Sequence, residues 1–148
     1  MYHQIGEPNP KGTPFRGLTV HPDDFARQMR WMRFLGYRGL SMRDIMPYVR
    51  GERHGKVFGL TFDDGYRNVV QNAMPVLDKL GFTATNYLVA NQFDGGNVWD
   101  AKIGIPFSPL MTVDEMRQWA ASGHEVGSHT LDHVHLPERK GFGQVVLR

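Results

Sequence analysis

Residues 57–68, Val-Phe-Gly-Leu-Thr-Phe-Asp-Asp-Gly-Tyr-Arg-Asn, constrain the fold more than any other stretch. An apolar run ends abruptly in two adjacent carboxylates and a glycine. Val57, Phe58, Leu60 and Phe62 suit a buried strand. Asp63 and Asp64 then fall just past its C-terminal end, where parallel α/β sheets place their chemistry. Neighbouring side chains in extended backbone point to opposite faces, so the two carboxylates can do different jobs, one holding an ion and one handling a proton. Gly65 permits a sharp turn. The plainer reading of Asp-Asp-Gly is a turn leading into a helix N-cap.

The rest of the chain alternates strand and helix signals. Residues 2–5 suit a short first strand. Pro22, Asp23 and Asp24 open a helix in which Phe25, Met29, Met32 and Leu35 recur at helical spacing, before Gly36 ends it. Ser41 with Asp44 resembles a capping box for a second helix. Val70, Ala73, Leu77 and Leu80 mark a third, which Pro75 should kink or restart. Residues 83–90 read as a strand. Thr112 and Glu115 form a capping box for a fourth helix carrying Val113, Met116 and Ala120. Residues 124–127 read as a last strand. Roughly five strands and four helices in alternation argue for an α/β fold with parallel strands, either an open sheet or a partial barrel. Residues 91–110 form a long irregular stretch of the kind that is often functional.

Composition narrows the class. The 148 residues suggest a single domain, and 41% hydrophobic residues supply a core. A net charge of +2, without a basic run, gives no footprint for nucleic acid. With no cysteine there is neither disulfide nor thiolate metal site. No stretch approaches the roughly 18 apolar residues of a membrane helix. No signal peptide is visible, which fits a chain kept inside the cell or one whose leader was removed.

Ser128-His129-Thr130-Leu131-Asp132-His133 follows the last strand. A separation of four puts both imidazoles on one face of a helical turn, close enough to share a metal ion. Two imidazoles with Asp64 make a donor set that leaves coordination positions open for water and substrate. Three other patterns fail. His124 and His129 are one residue too far apart for a metalloprotease helix. Ser128, His129 and Asp132 are adjacent in sequence, which is no evidence for a catalytic triad. His133 paired with His135 leaves His129 unexplained.

Together these residues resemble the polysaccharide deacetylases, a family of carbohydrate esterases. Thr61 to Gly65 match its Thr-Phe-Asp-Asp-Gly motif in full. His129, Thr130 and His133 match its His-Ser/Thr-x-x-His motif. Tyr2-His3 looks like the opening strand, and residues 122–128 resemble the lead into the second motif. The resemblance covers about residues 1–136, with 137–148 an atypical tail. It implies an incomplete, deformed (β/α) barrel of mainly parallel strands. It also implies removal of N-acetyl groups from an amino-sugar polysaccharide or oligosaccharide, by hydrolysis of a linear amide. Asp63 would be the catalytic base. Asp64, His129 and His133 would hold a divalent metal, commonly zinc. Tyr66 and Trp99 would stack on sugar rings, although Trp99 suits plain core packing equally well. The family's arginine motif, its Pro-Tyr loop and its late general-acid histidine have no matching position, so the domain reads as C-terminally truncated. The unclosed sheet would then self-associate. Two rival classes stand beside this reading: a non-catalytic remnant that binds glycan or a partner protein, and a metal-independent amide or ring hydrolase of the same fold.

Overall fold

The computed structural model describes residues 1–134. His135 and the tail expected at 137–148 lie outside the described residues. The strands are β1 (Gln4–Ile5), β2 (Thr19–Val20), β3 (Arg38–Leu40), β4 (Val57–Gly59), β5 (Thr61–Asp64), β6 (Thr85–Leu88) and β7 (Glu125–Ser128). Between them run the helices α1 (Pro22–Phe34), α2 (Met42–Val49), α3 (Met74–Leu80) and α4 (Val113–Ala121). Among the described residues every strand pair is parallel: β1 with β2, β3 with β4, and β5-β6-β7 in that order. An isolated parallel bridge joins Tyr2 to Phe62 and lays the first strand against β5. Among the described residues these ladders form no closed barrel. The α/β alternation and the parallel strands are as expected.

Local chemistry accounts for most element boundaries. His21 caps α1 by accepting the Asp23 N–H at its Nδ1 (3.2 Å). Ser41 does the same for α2 through Asp44 N. The capping box of α4 is complete, with Thr112 and Glu115 each satisfying the other's backbone N–H. Pro75 has no N–H to donate and its ring crowds the preceding turn. A π-helical turn (Val69–Ala73) therefore precedes it, and α3 restarts with proline in its first turn.

Phe62 is the hub of the core. Its ring lies 5.8 Å from Tyr2, 5.9 Å from Phe25 and 6.0 Å from Trp119, the last edge-on. The apolar stripes of α1 and α4 are narrower than their spacing predicts. Phe25 and Met29 are buried, whereas Leu35 is exposed at the helix end. In α4 the buried residue is Trp119, and Val113 is exposed. No helix among the described residues is long and apolar enough to cross a membrane.

Candidate active site

The site forms where β5, β6 and β7 end together. Asp63 and Asp64 are the last residues of β5 and not, as expected, just beyond it. Alternation along this strand leaves Asp63 half-buried and Asp64 buried. Asp64 and Gly65 then adopt consecutive left-handed conformations, with φ of 73° and 81°. Glycine is favoured at the second of these for two reasons. The φ is unfavourable to a side chain, and a Cβ would come within 2.6 Å of Leu88 Cδ2.

His129 and His133 do not lie on a helical turn, contrary to the reading of their spacing. The backbone from His129 to Leu131 runs along the end of β6. His129 N donates to Leu88 O (2.8 Å), Ala90 N to Thr130 O (3.1 Å) and Asn91 N to Leu131 O (2.9 Å). Left-handed residues at Thr130 (φ 66°) and His133 (φ 53°) then fold the two imidazoles together. Among the described residues, Asp64, Thr130 and His133 are three of the five non-glycine residues with positive φ, a concentration of backbone strain typical of functional sites.

The result is a converging donor set. His133 Nε2 lies 3.1 Å and His129 Nε2 3.4 Å from Asp64 Oδ1. That oxygen is buried, and no donor is oriented to give it a hydrogen bond. Its ligand atom and those of the two histidines lie within 4.8 Å of one another. A buried carboxylate oxygen without a hydrogen bond is costly, and two imidazole nitrogens aimed at it give the geometry a cation would satisfy. The residues therefore fit a divalent metal. Contact with Asp64 pushes the His133 imidazole above its ordinary pKa, with burial pulling the other way.

Asp63 has a different environment. Burial pushes its pKa up, and the nearby charges of His129 and His3 draw it partly back. His3 lines a cavity of about 190 Å³ together with Asp64, Tyr66, Trp99, Asp100 and His133; Phe15, Leu18 and Ile105 also line it. Sequence reasoning assigned no role to His3 or Asp100. His3 reaches the site because its neighbour Tyr2 pairs with Phe62 beside Asp63, a pairing across some 60 residues that no local signal records.

Tyr66 and Trp99 are both at the cavity, in unequal roles. Tyr66 is 3% exposed and donates its hydroxyl to Asp100 Oδ2 (3.3 Å). Burial and the carboxylates of Asp64 and Asp100 raise its pKa, so the phenol stays a neutral donor. Trp99 comes from the irregular stretch, on a 3₁₀ segment (Val98–Ile103), and stacks on His133. Members of two rejected patterns, His124 and Asp132, are engaged elsewhere, and His135 of the third lies outside the described residues. His124 is buried, packed on Trp119 and bonded to Asp78, and Asp132 accepts from Asn91 Nδ2.

Comparison with known proteins agrees with this geometry. The family model described as "Polysaccharide deacetylase" matches residues 50–142. YxkH of Bacillus subtilis is 29% identical over 138 residues, covering 92% of this chain and 43% of that protein. The poly-beta-1,6-N-acetyl-D-glucosamine N-deacetylase of Staphylococcus epidermidis is 23% identical over 117 residues, covering 78% and 40%. Among solved structures, the Streptococcus pyogenes deacetylase PplD in complex with acetate superposes with a TM-score of 0.72 at 27% identity. That match covers 94% of this chain and 58% of PplD. The chain thus spans less than half the length of the curated relatives it matches.

Proposed function

The chain belongs to the polysaccharide deacetylase family, and from that premise we propose that it hydrolyses N-acetyl groups from an amino-sugar polysaccharide or oligosaccharide. The observation that carries this reading is the buried Asp64 Oδ1, without a hydrogen bond and faced by His129 and His133. Asp64, His129 and His133 would hold the metal. Zinc is the ion we propose, since one carboxylate and two imidazoles suit it. When bound, such an ion polarises the acetyl carbonyl and makes a water more acidic.

The remaining work falls to the chain's own side chains. Asp63, beside the donor set and raised in pKa by burial, takes a proton from the attacking water. The water oxygen bonds to the acetyl carbon, the C–N bond breaks, and acetate and a free amine result. The amine needs a proton as it leaves. His3, in the wall of the cavity that Asp64 and His133 also line, is the residue we assign to supply it. Tyr66 and Trp99 line that cavity and are assigned to contact the sugar. The name of the Staphylococcus relative supports an N-acetylglucosamine polymer as the substrate class.

The test is acetate release from N-acetylglucosamine oligomers by the zinc-loaded chain, beside Asp63→Asn and His129→Ala. Release by the unaltered chain alone bears the proposal out. Zinc binding without release would favour a non-catalytic glycan-binding role. Release that chelators leave untouched would favour the metal-independent class. Self-association belongs to the same proposal: among the described residues β7 is the edge of its ladder, and it exposes Val126; light scattering of a strict monomer would remove it.

A further inference from the structure

The indole of Trp99 lies nearly flat on His133, with ring centroids 4.6 Å apart and 15° between the planes. His129 meets His133 at 60° and 5.2 Å, which is no stack. Among the described residues the aromatic ring stacked on His133 is that of Trp99, from a distant part of the chain. We propose that Trp99 is a positioning residue, which fixes the plane of the His133 ring so that its Nε2 stays aimed at Asp64.

The need for such a device follows from where His133 sits. It lies beyond β7, in irregular backbone with φ 53°, where no ladder orients it. An imidazole there is free to turn about its side-chain bonds, and each wrong orientation removes a donor from the set. Stacking on a large flat ring restricts it to one plane. The restraint is useful only if Trp99 is itself held, and it is. Asn97, two residues earlier, is 2% exposed, and its amide closes the loop from both sides. Its Nδ2 donates to Asp100 Oδ2 (3.1 Å) and Pro106 O (3.2 Å), and its Oδ1 accepts from Ser108 N (2.6 Å). Asp100 also accepts from the Tyr66 hydroxyl, and Tyr66 follows Asp64 by two residues. The same short network therefore ties the indole to the strand end that carries the carboxylate. A stack made only for packing would not require this connection to the opposite ligand.

The inference rests on the metal reading above, and the experiment separates the two. Zinc affinity of the full chain is measured by chelator competition for the unaltered protein, Trp99→Phe and Trp99→Leu. Fold is monitored by circular dichroism. Leucine keeps bulk and loses the flat ring, and is expected to weaken zinc binding about tenfold, the lower end of what partners of metal ligands contribute. Phenylalanine is expected to keep most of the affinity. The ring protons of His133 are followed by NMR without metal. They should show an upfield ring-current shift that Trp99→Leu removes and Asn97→Ala diminishes. Unchanged zinc affinity in Trp99→Leu, equal affinities for the Leu and Phe variants, or no ring-current shift in the unaltered chain would each overturn the proposal, the last even if Trp99→Leu does not fold. An unaltered chain that binds no zinc removes the metal reading and this inference with it. Zinc binding that depends on His129 but not on Trp99 removes only this one.

Discussion

Asp64 Oδ1 stands 3.1 Å from His133 Nε2, yet no hydrogen bond reaches it. Their arrangement, with His129 Nε2 at 3.4 Å, is instead that of donors facing a common point. Asp64→Ala is accordingly expected to abolish stoichiometric divalent-ion binding, read by elemental analysis of the purified chain. Retention of the ion by this variant would contradict the assignment.

The pH dependence of that binding has a definite sign. Contact with Asp64 holds the proton on His133 above the ordinary imidazole range, and this proton competes with the ion. Metal affinity should therefore rise with pH and still be rising above pH ~6.5, the ordinary imidazole value. Isothermal titration calorimetry across that range measures it, together with the protons released. A flat profile would show that His133 carries no competing proton.

Asp63→Asn should leave metal content intact and reduce acetate release by about 10²–10⁴-fold, the usual worth of a general base. Burial raises the Asp63 pKa, so the acid limb of the rate profile should lie above the usual carboxylate range. The rate falls as pH drops through that limb, because the base is then protonated. His3 lowers this pKa by its charge, so His3→Asn should move the limb upward as well as slow the reaction.

His124 supplies a test of stability separate from the site. Its Nδ1 accepts the Ala84 N–H (3.2 Å), its Nε2 lies 3.1 Å from Asp78 Oδ1, and its ring stacks on Trp119. Burial lowers its pKa, although Asp78 opposes this. A histidine with a depressed folded pKa takes up its proton more readily when unfolded. Stability should then fall as pH drops below ~6.5, the unfolded value, until the folded pKa is passed. Urea denaturation at several pH values should show this slope, and His124→Phe should flatten it.

Gly65→Ala combines a left-handed backbone with a clash against Leu88 Cδ2. The two effects together predict a loss of about 2–4 kcal/mol of stability. The loss should appear in thermal unfolding, accompanied by weaker metal binding because Asp64 is its neighbour. A variant as stable as the unaltered chain would show that the turn relaxes at little cost.

Most elements were legible in the chain because their causes are local. Pro75 restarts α3, Thr112 and Glu115 cap α4, and the apolar run into Asp63 and Asp64 forms a strand, each from chemistry within a few residues. Asp64, His129 and His133 were legible as a donor set because their residue types and spacings are themselves the signal. The way they meet was not. Spacing implied a helical turn, whereas the loop is shaped by hydrogen bonds to the end of β6 and by two left-handed residues. His3, Asp100 and the stack of Trp99 on His133 were hidden for the same reason, since nothing near them in sequence records what they face. The sequence by itself determined the α/β alternation, the helix ends and the chemistry available to a site. Only the tertiary structure decided which side chains share a cavity, because parallel pairing of β5, β6 and β7 brings distant strand ends together and a long loop closes over them through Asn97.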